Sequence, residues 1–241
     1  MAQARVKATN LVSEAESSAR VRRKSDRVER LYALLQERMT KKQSGWGAGV
    51  TVLDGPETVR LPLVLRRARA FRKTLLEMPI AIEEDDLIVG NTLQDGVVVK
   101  PQMPKYATAE ETDQAGQEGV KIEVGLAHKT PYYADVMEKG LSGVIAEIDR
   151  KLVEIAARAA SAEREEKLAF FGAMRIECEA VIALAHRYAD LAEELSTKSG
   201  SPQRRVELLE IVKVCRRVPE FPPRTFQEAV QAFWTVHYAL F

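Results

Sequence analysis

Apolar residues recur at helical spacing along most of the chain, and the runs are separated by proline, glycine and capping residues. Over residues 20–42, Val28, Leu31, Leu34, Leu35 and Met39 share one side of a predicted helix. Pro62 is placed to open a second helix to about Met78, with Leu63, Ala70, Leu75 and Leu76 inward and Pro79 ending it. Two short apolar runs, 80–82 and 87–90, flank the four acids Glu83, Glu84, Asp85 and Asp86, expected as a solvated turn between strands. Residues 91–125 are the least regular stretch, with a candidate strand at 97–99. Thr130 and Pro131 cap a predicted short helix closed by Gly140, and another runs over 142–160. The longest predicted helix spans 163–198, where Phe171, Met174, Cys178, Val181, Ile182, Ala185, Ala189, Ala192 and Leu195 keep a 3.6-residue period before Gly200. Ser201 and Pro202 start one more, to about Arg217.

The last stretch has the clearest punctuation. Pro219, Pro222 and Pro223 stop the preceding helix, because proline has no N–H and pushes its predecessor out of the α region. Thr225 followed by Glu228 has capping-box spacing, so a helix opens at Phe226. Phe226, Ala229, Val230, Phe233, Trp234, His237 and Leu240 follow the rhythm of one buried face. No C-cap glycine and no basic last turn follow before Phe241. The expectation is a helix cut through its middle, and a chain that is the front part of something longer. The fold class expected is mainly α with a few short strands, with a flexible tail at 1–19 and one truncated domain over 20–241.

Composition narrows the function classes. The chain of 241 residues is 46% hydrophobic and 29% charged, which suits a folded core, and its net charge of +1 provides no field for nucleic acid or membrane. Aromatics at 6% are thin for a base-stacking surface. The first residues lack the apolar core of a signal peptide, and Glu14 and Glu16 count against a mitochondrial presequence, so the cytoplasm is the expected location. Arg22, Arg23, Lys24, Arg27 and Arg30 make the first helix basic, but Asp26, Glu29 and Glu37 interleave with them as on a solvated face. Residues 45–49, Gly-Trp-Gly-Ala-Gly, resemble a phosphate loop only in composition. A β-type run at 50–53 follows where a phosphate-binding helix N-terminus should be, so a flexible or hairpin connection is expected.

Candidate chemistry is sparse. His128, His186 and His237 lack the i, i+4 spacing of a helical metal site. His186 and His237 fall on helical patterns and are expected to pack; His128 lies in a loop just ahead of a helix start, where a ring nitrogen can face a ligand. Cys178 sits on an apolar stripe and Cys215 at a helix C-terminus, where the dipole opposes a thiolate, so both are expected to be packing residues.

Four stretches, in order, resemble the N-terminal region of glycyl radical enzymes, the pyruvate formate-lyase-like superfamily. They are PIAIEEDDLIVGN from Pro79, GLAHKTPYYADVMEKGLSGVI from Gly125, ECEAVIALAHRYADLAEEL from Glu177 and VCRRVPEFPPRTFQEAVQAFW from Val214. The resemblance is nearest to the branch of glycerol- and choline-type dehydratases and lyases and aryl decarboxylases. It implies the N-terminal portion of a large α/β barrel wrapped in helices. It also implies a glycyl radical, installed by a radical-SAM activating enzyme, that oxidises a cysteine to the thiyl attacking a small-molecule substrate. The family's Arg-Val-Ala/Ser-Gly-Tyr and Gly-Cys-Val/Ile-Glu contexts do not occur in these 241 residues, so no catalytic residue, bound cofactor or metal is expected here. Isolated, the segment is expected to be inactive, and the complete enzyme to be a homodimer. His128 matches a substrate-hydroxyl-binding histidine of glycerol dehydratase-like members. Tyr132-Tyr133 stands where the family commonly has Asp-Tyr, so the substrate of those members does not carry over to this chain. The alternatives are a non-catalytic helical scaffold or partner-binding protein, and a nucleic-acid binder built on the last two helices, whose proline-rich turn is too long for a helix-turn-helix.

Overall fold

The structure, a computed structural model, describes residues 25–41, 43–47, 49–91, 93–94, 97–120, 122 and 131–240. The chain divides into two compact units, Met1–Thr40 and Lys41–Phe241. The expected tail at 1–19 lies outside the described residues. In the first unit, helix α1 (Asp26–Thr40) opens behind Ser25, whose hydroxyl accepts from Val28 N, and carries Asp26 and Glu29 in its first turn. None of its residues is buried.

The second unit is built around one long helix. Its elements are β1 (Ser44–Trp46), α2 (Pro56–Val59), α3 (Leu63–Glu77), β2 (Leu93–Gln94), β3 (Val97–Pro101), α4 (Ala109–Gln117), α5 (Tyr133–Ala156), α6 (Ala162–Lys198), α7 (Pro202–Arg217) and α8 (Phe226–Ala239). Helix α6, about 55 Å long at 1.5 Å per residue, packs against α3, α5 and α7. Ala169, Ala173, Ala180, Ala185, Ala189 and Ala192 are all buried along it, and these short side chains let neighbouring helices approach closely. Leu184 and Tyr188 fill the seam with Phe71 and Leu75 of α3 and Leu208, Ile211 and Cys215 of α7. Serine caps set the starts of α6 and α7: Ser161 and Ser201 accept from Arg164 N and Arg204 N at 3.1 and 3.2 Å.

Residues 45–46 belong to a strand where a loop or hairpin was expected. Strand β1 pairs in parallel with β3, and β2 pairs antiparallel on the other side of β3. Residues 50–53, expected as a strand, make only a bridge, Thr51 with Lys105, and no helix long enough to hold a phosphate opens behind them. Helix α4 lies inside the stretch expected to be irregular. Thr108 and Glu111 form a complete capping box, with Glu111 N donating to Thr108 Oγ1 at 3.2 Å and Thr108 N to Glu111 Oε2 at 2.8 Å. Glu111 also receives Arg66 of α3 as an ion-pair partner. Arg66 is 2% exposed and its guanidinium also donates to the carbonyls of Leu61 and Tyr106.

The acid run makes the expected turn at 84–85 with Glu84 exposed, but the flanking runs form no strands beyond the bridge of Ala81 with Asn91, and Asp86 is fastened down. Asp86 is buried, and its Oδ2 accepts from Glu83 N at 3.0 Å and Asn91 Nδ2 at 3.1 Å; burial pushes its pKa up. Arg204 of α7 donates to the carbonyls of Asp86 and Glu83, Tyr188 of α6 to that of Asn91, and Gln231 of α8 bonds both polar backbone groups of Val89 at 2.8 Å each. Helix α5 breaks at Gly140 (φ 67°), as expected. There the carbonyls of Pro219 and Glu220 accept from Leu141 N and Ser142 N at 2.9 Å, and a Cβ on Gly140 would lie 2.4 Å from Glu220 O.

Helix α8 starts where expected, with Thr225 Oγ1 accepting from Glu228 N, but its buried face is the opposite one. Glu228, Gln231, Ala232, Thr235, Val236 and Ala239 point inward, while Phe226 is 86% exposed, Phe233 40% and Trp234 37%. Periodicity finds the stripe that must leave water. It does not reveal that the other face carries polar groups matched to Val89 and to Arg224, which bonds Glu228.

Three outcomes follow from this packing. Glu111, held down to about 2 first by hydrogen bonds from Arg66, has a folded pKa below its ordinary 4.5. Its stabilising contribution is therefore full above pH 4.5 and is lost as pH falls towards 2. Glu111→Gln should cost about 1–2 kcal/mol at pH 7, because Arg66 stays buried while Glu111 is partly solvated, and the difference from the parent chain in urea titrations should shrink below pH 4.5. Gly90→Ala should cost about 2–4 kcal/mol, since φ is 152° and the new Cβ would lie 2.2 Å from Trp234 Nε1; urea unfolding followed by tryptophan fluorescence measures it. The 241-residue chain should bind a hydrophobic dye and self-associate in light scattering through α8, and Phe226→Lys with Val230→Glu should abolish both without lowering the melting temperature.

Candidate functional site

The start of α5 and the outward side of α8 form the candidate site. Pro131 lacks an N–H and Tyr132 caps α5 without a side-chain hydrogen bond, so the helix begins at Tyr133, two residues beyond the expected Pro131 start. That unsupported end is held from across the molecule. Tyr133 Oη lies 2.9 Å from His237 Nδ1 on α8, a pairing of residues 104 apart in sequence. The Tyr133 ring packs on Phe233 at 4.6 Å between centroids, Phe233 stacks on His237 at 5.6 Å, and Trp234 lies 5.9 Å from His237. Tyr132, the residue before Tyr133 in the chain, is 75% exposed.

Burial pushes the Tyr133 phenol above its ordinary pKa, so it is a neutral hydrogen-bonding group at pH 7. Nearly two turns on, Lys139 bridges Asp135 and Glu147 at 3.0 Å each, and both partners raise its pKa. The patch can therefore orient a polar group and present aromatic surface. A reacting nucleophile is missing among the described residues here: burial pushes the Cys178 thiol up to about 11 and the Cys215 thiol up to about 12, which removes the thiolate both would need. Both cysteines pack, as expected. So do His186, whose Nε2 meets Glu220 Oε2 at 3.1 Å, and His237. Among the described residues no group of three or more His, Cys, Asp or Glu could hold a metal ion, and no helix is long and apolar enough to cross a membrane.

His128, the substrate-binding residue expected from the sequence, lies outside the described residues. Helix α5 begins five positions after it, at Tyr133. The Tyr133–His237 pair escaped the sequence reading because nothing local links positions so far apart. The Arg66–Glu111 pair had one signal, the Thr108-x-x-Glu111 spacing. Beside the site, Leu87, Ile88, Val206, Phe226 and Val230 line an apolar groove of roughly 520 Å³ between α7 and α8, with Glu207 and Glu210 at its edge.

Isethionate sulfite-lyase from Nitratidesulfovibrio vulgaris is 38% identical over 102 residues, 42% of this chain and 12% of that protein. The Roseburia inulinivorans structure solved for 1,2-propanediol dehydration superposes over 90% of this chain and 33% of its own, with TM-score 0.71 and 28% identity. A glycyl radical enzyme from Archaeoglobus fulgidus shares the fold over 89% of this chain and 34% of its own, with TM-score 0.67 and 24% identity. The chain thus spans about a third or less of the length of these relatives, and its helices are a partial region of the glycyl radical barrel fold. The family described as pyruvate formate lyase-like matches residues 109–241, more than half of the sequence, and the chain belongs to that family.

Proposed function

We propose that this chain is the N-terminal wall of a glycyl radical lyase or dehydratase, an enzyme that breaks a C–C or C–heteroatom bond of a small molecule. The observation that carries the reading is the outward apolar side of α8, together with a superposition that uses 90% of this chain and a third of the larger Roseburia protein. The remaining barrel would cover that side. Neither the glycine nor the cysteine context of the radical residues occurs among these residues, so the radical would be supplied by the rest of the fold after action of a radical-SAM activating enzyme. When present, it provides hydrogen-atom abstraction from the substrate. The work of this chain's residues is to position and to exclude water.

His128, at the end of the Gly-x-x-His stretch from Gly125, would donate to or accept from a substrate hydroxyl, and Tyr132 and Tyr133 would shape the same end of the pocket. The complete enzyme would be a cytoplasmic homodimer working without oxygen, and the chain by itself would be inactive. Lack of both radical contexts also suits a non-catalytic helical scaffold derived from the family, the competing reading.

Anaerobic treatment with the activating enzyme, followed by electron paramagnetic resonance, separates the two. The 241-residue chain should show no glycyl doublet, and the polypeptide containing the whole fold should show one and turn over a hydroxylated substrate. In that enzyme His128→Ala should raise KM about tenfold, the value of one lost hydrogen bond. An unchanged KM would remove His128 from the site, and a whole-fold polypeptide without a doublet would favour the scaffold.

A further inference from the structure

We infer that His237 is a positioning residue: by accepting a hydrogen bond at Nδ1 from Tyr133, it fixes the first residue of α5 and so the end of that helix nearest the proposed substrate. The inference rests on the reading just given, in which His128 lies five positions ahead of Tyr133.

A helix end leaves backbone N–H groups without intrahelical partners, and a side-chain cap normally anchors it. α6, α7 and α8 each have such a cap, from Ser161, Ser201 and Thr225. α5 has none, and its capping residue Tyr132 has ψ 85°, outside the extended range of the other three. What holds its start is tertiary: the 2.9 Å bond to His237 and the ring contact of Tyr133 with Phe233. The α8 end of that bond is itself fixed. Gln231 bonds both polar groups of Val89, Gly90 lies against Trp234, and Trp234 and Phe233 flank His237. Position therefore passes from the strap at residues 79–91 through α8 to Tyr133. Tyr133 keeps its phenolic proton, and in the proposed arrangement it donates that proton to Nδ1, which puts the imidazole proton on Nε2. His237 touches the helix start and needs no contact with substrate.

The test uses the 241-residue chain. Long-range proton–nitrogen NMR should find His237 as the Nε2–H tautomer in the parent. Tyr133→Phe should shift it towards a mixture of tautomers and leave His186 unchanged. Amide exchange at residues 132–136 should rise about tenfold in Tyr133→Phe and in His237→Leu, and return to within about twofold of the parent in His237→Asn, whose Oδ1 takes the place of Nδ1. A tautomer unmoved by Tyr133→Phe overturns the proposal. So does faster exchange spread evenly over α5 and α8, which is the mark of a merely structural contact. If His237→Leu does not fold, the Tyr133→Phe spectrum decides alone. These readouts need no substrate or radical: their failure removes the positioning role and leaves His128 standing, whereas an unchanged KM in His128→Ala removes the substrate reading and leaves the pair intact.

Discussion

Two hydrogen bonds between the side-chain amide of Gln231 and Val89, whose N–H donates to Oε1 and whose carbonyl accepts from Nε2, decide which way α8 faces. Val89 and Gln231 are both buried, so leaving the backbone groups unpaired would cost about 1–3 kcal/mol each. A glutamine side chain with one acceptor and two donors satisfies both and still reaches Thr235 Oγ1. Once that face is inward, geometry turns Phe226, Val230, Phe233 and Trp234 the other way, since they lie on the far side of the same cylinder. The position of Trp234 against Gly90 and of His237 against Tyr133 follows from the same rotation.

The rest of the unit meets a related requirement. Residues 79–91 cross the helices as an irregular strap with a single bridge, Ala81 to Asn91, so most of its polar backbone has no ladder to enter. Long side chains from neighbouring helices provide the missing donors: Arg204 to Glu83 and Asp86, and Tyr188 to Asn91. Arg187 does the same for the end of α3, donating to the carbonyls of Leu75 and Met78. Charged side chains placed in this way lose hydration but gain carbonyl acceptors, and Arg204 keeps Glu207 at 3.0 Å as its counter-ion. Helix α6 can therefore remain an alanine-rich beam, with specificity of packing carried by the polar ties around it.

What the sequence made legible was the local part. The limits of α6, α7 and α8 follow from capping serines and threonine and from proline, and the break of α5 at Gly140 follows from glycine. The inactivity of both cysteines could be argued from their helical positions. Most of the misreadings involve partners far away in sequence; α4 is an exception, since its Thr108–Glu111 capping box is local. The burial of Arg66 depends on Glu111 and the Tyr106 carbonyl being brought to it; Asp86 looks solvated until the fold buries it and Arg204 bonds its carbonyl; and β1 looks like a loop until β3 pairs with it. α8 is the instructive case. A hydrophobic stripe measures the need for burial, and no local rule tells whether this chain's own helices meet that need.

That unmet need has a size. Fully burying a side chain such as Phe or Val is worth about 1.5–3 kcal/mol, so the four partly or largely exposed residues of α8 represent on the order of 5 kcal/mol still open. Folded domains are stable by only about 5–15 kcal/mol in all. Whatever polypeptide covers α8 would thus contribute an amount comparable to the stability of the unit itself. It would also exclude water from Tyr133 and His237, where a hydrogen bond gains strength as the surroundings become less polar. The same contact would stabilise the fold and sharpen the site, which is reason to expect that covering α8 tightens a pairing of Tyr133 with His237 that the uncovered helix already makes.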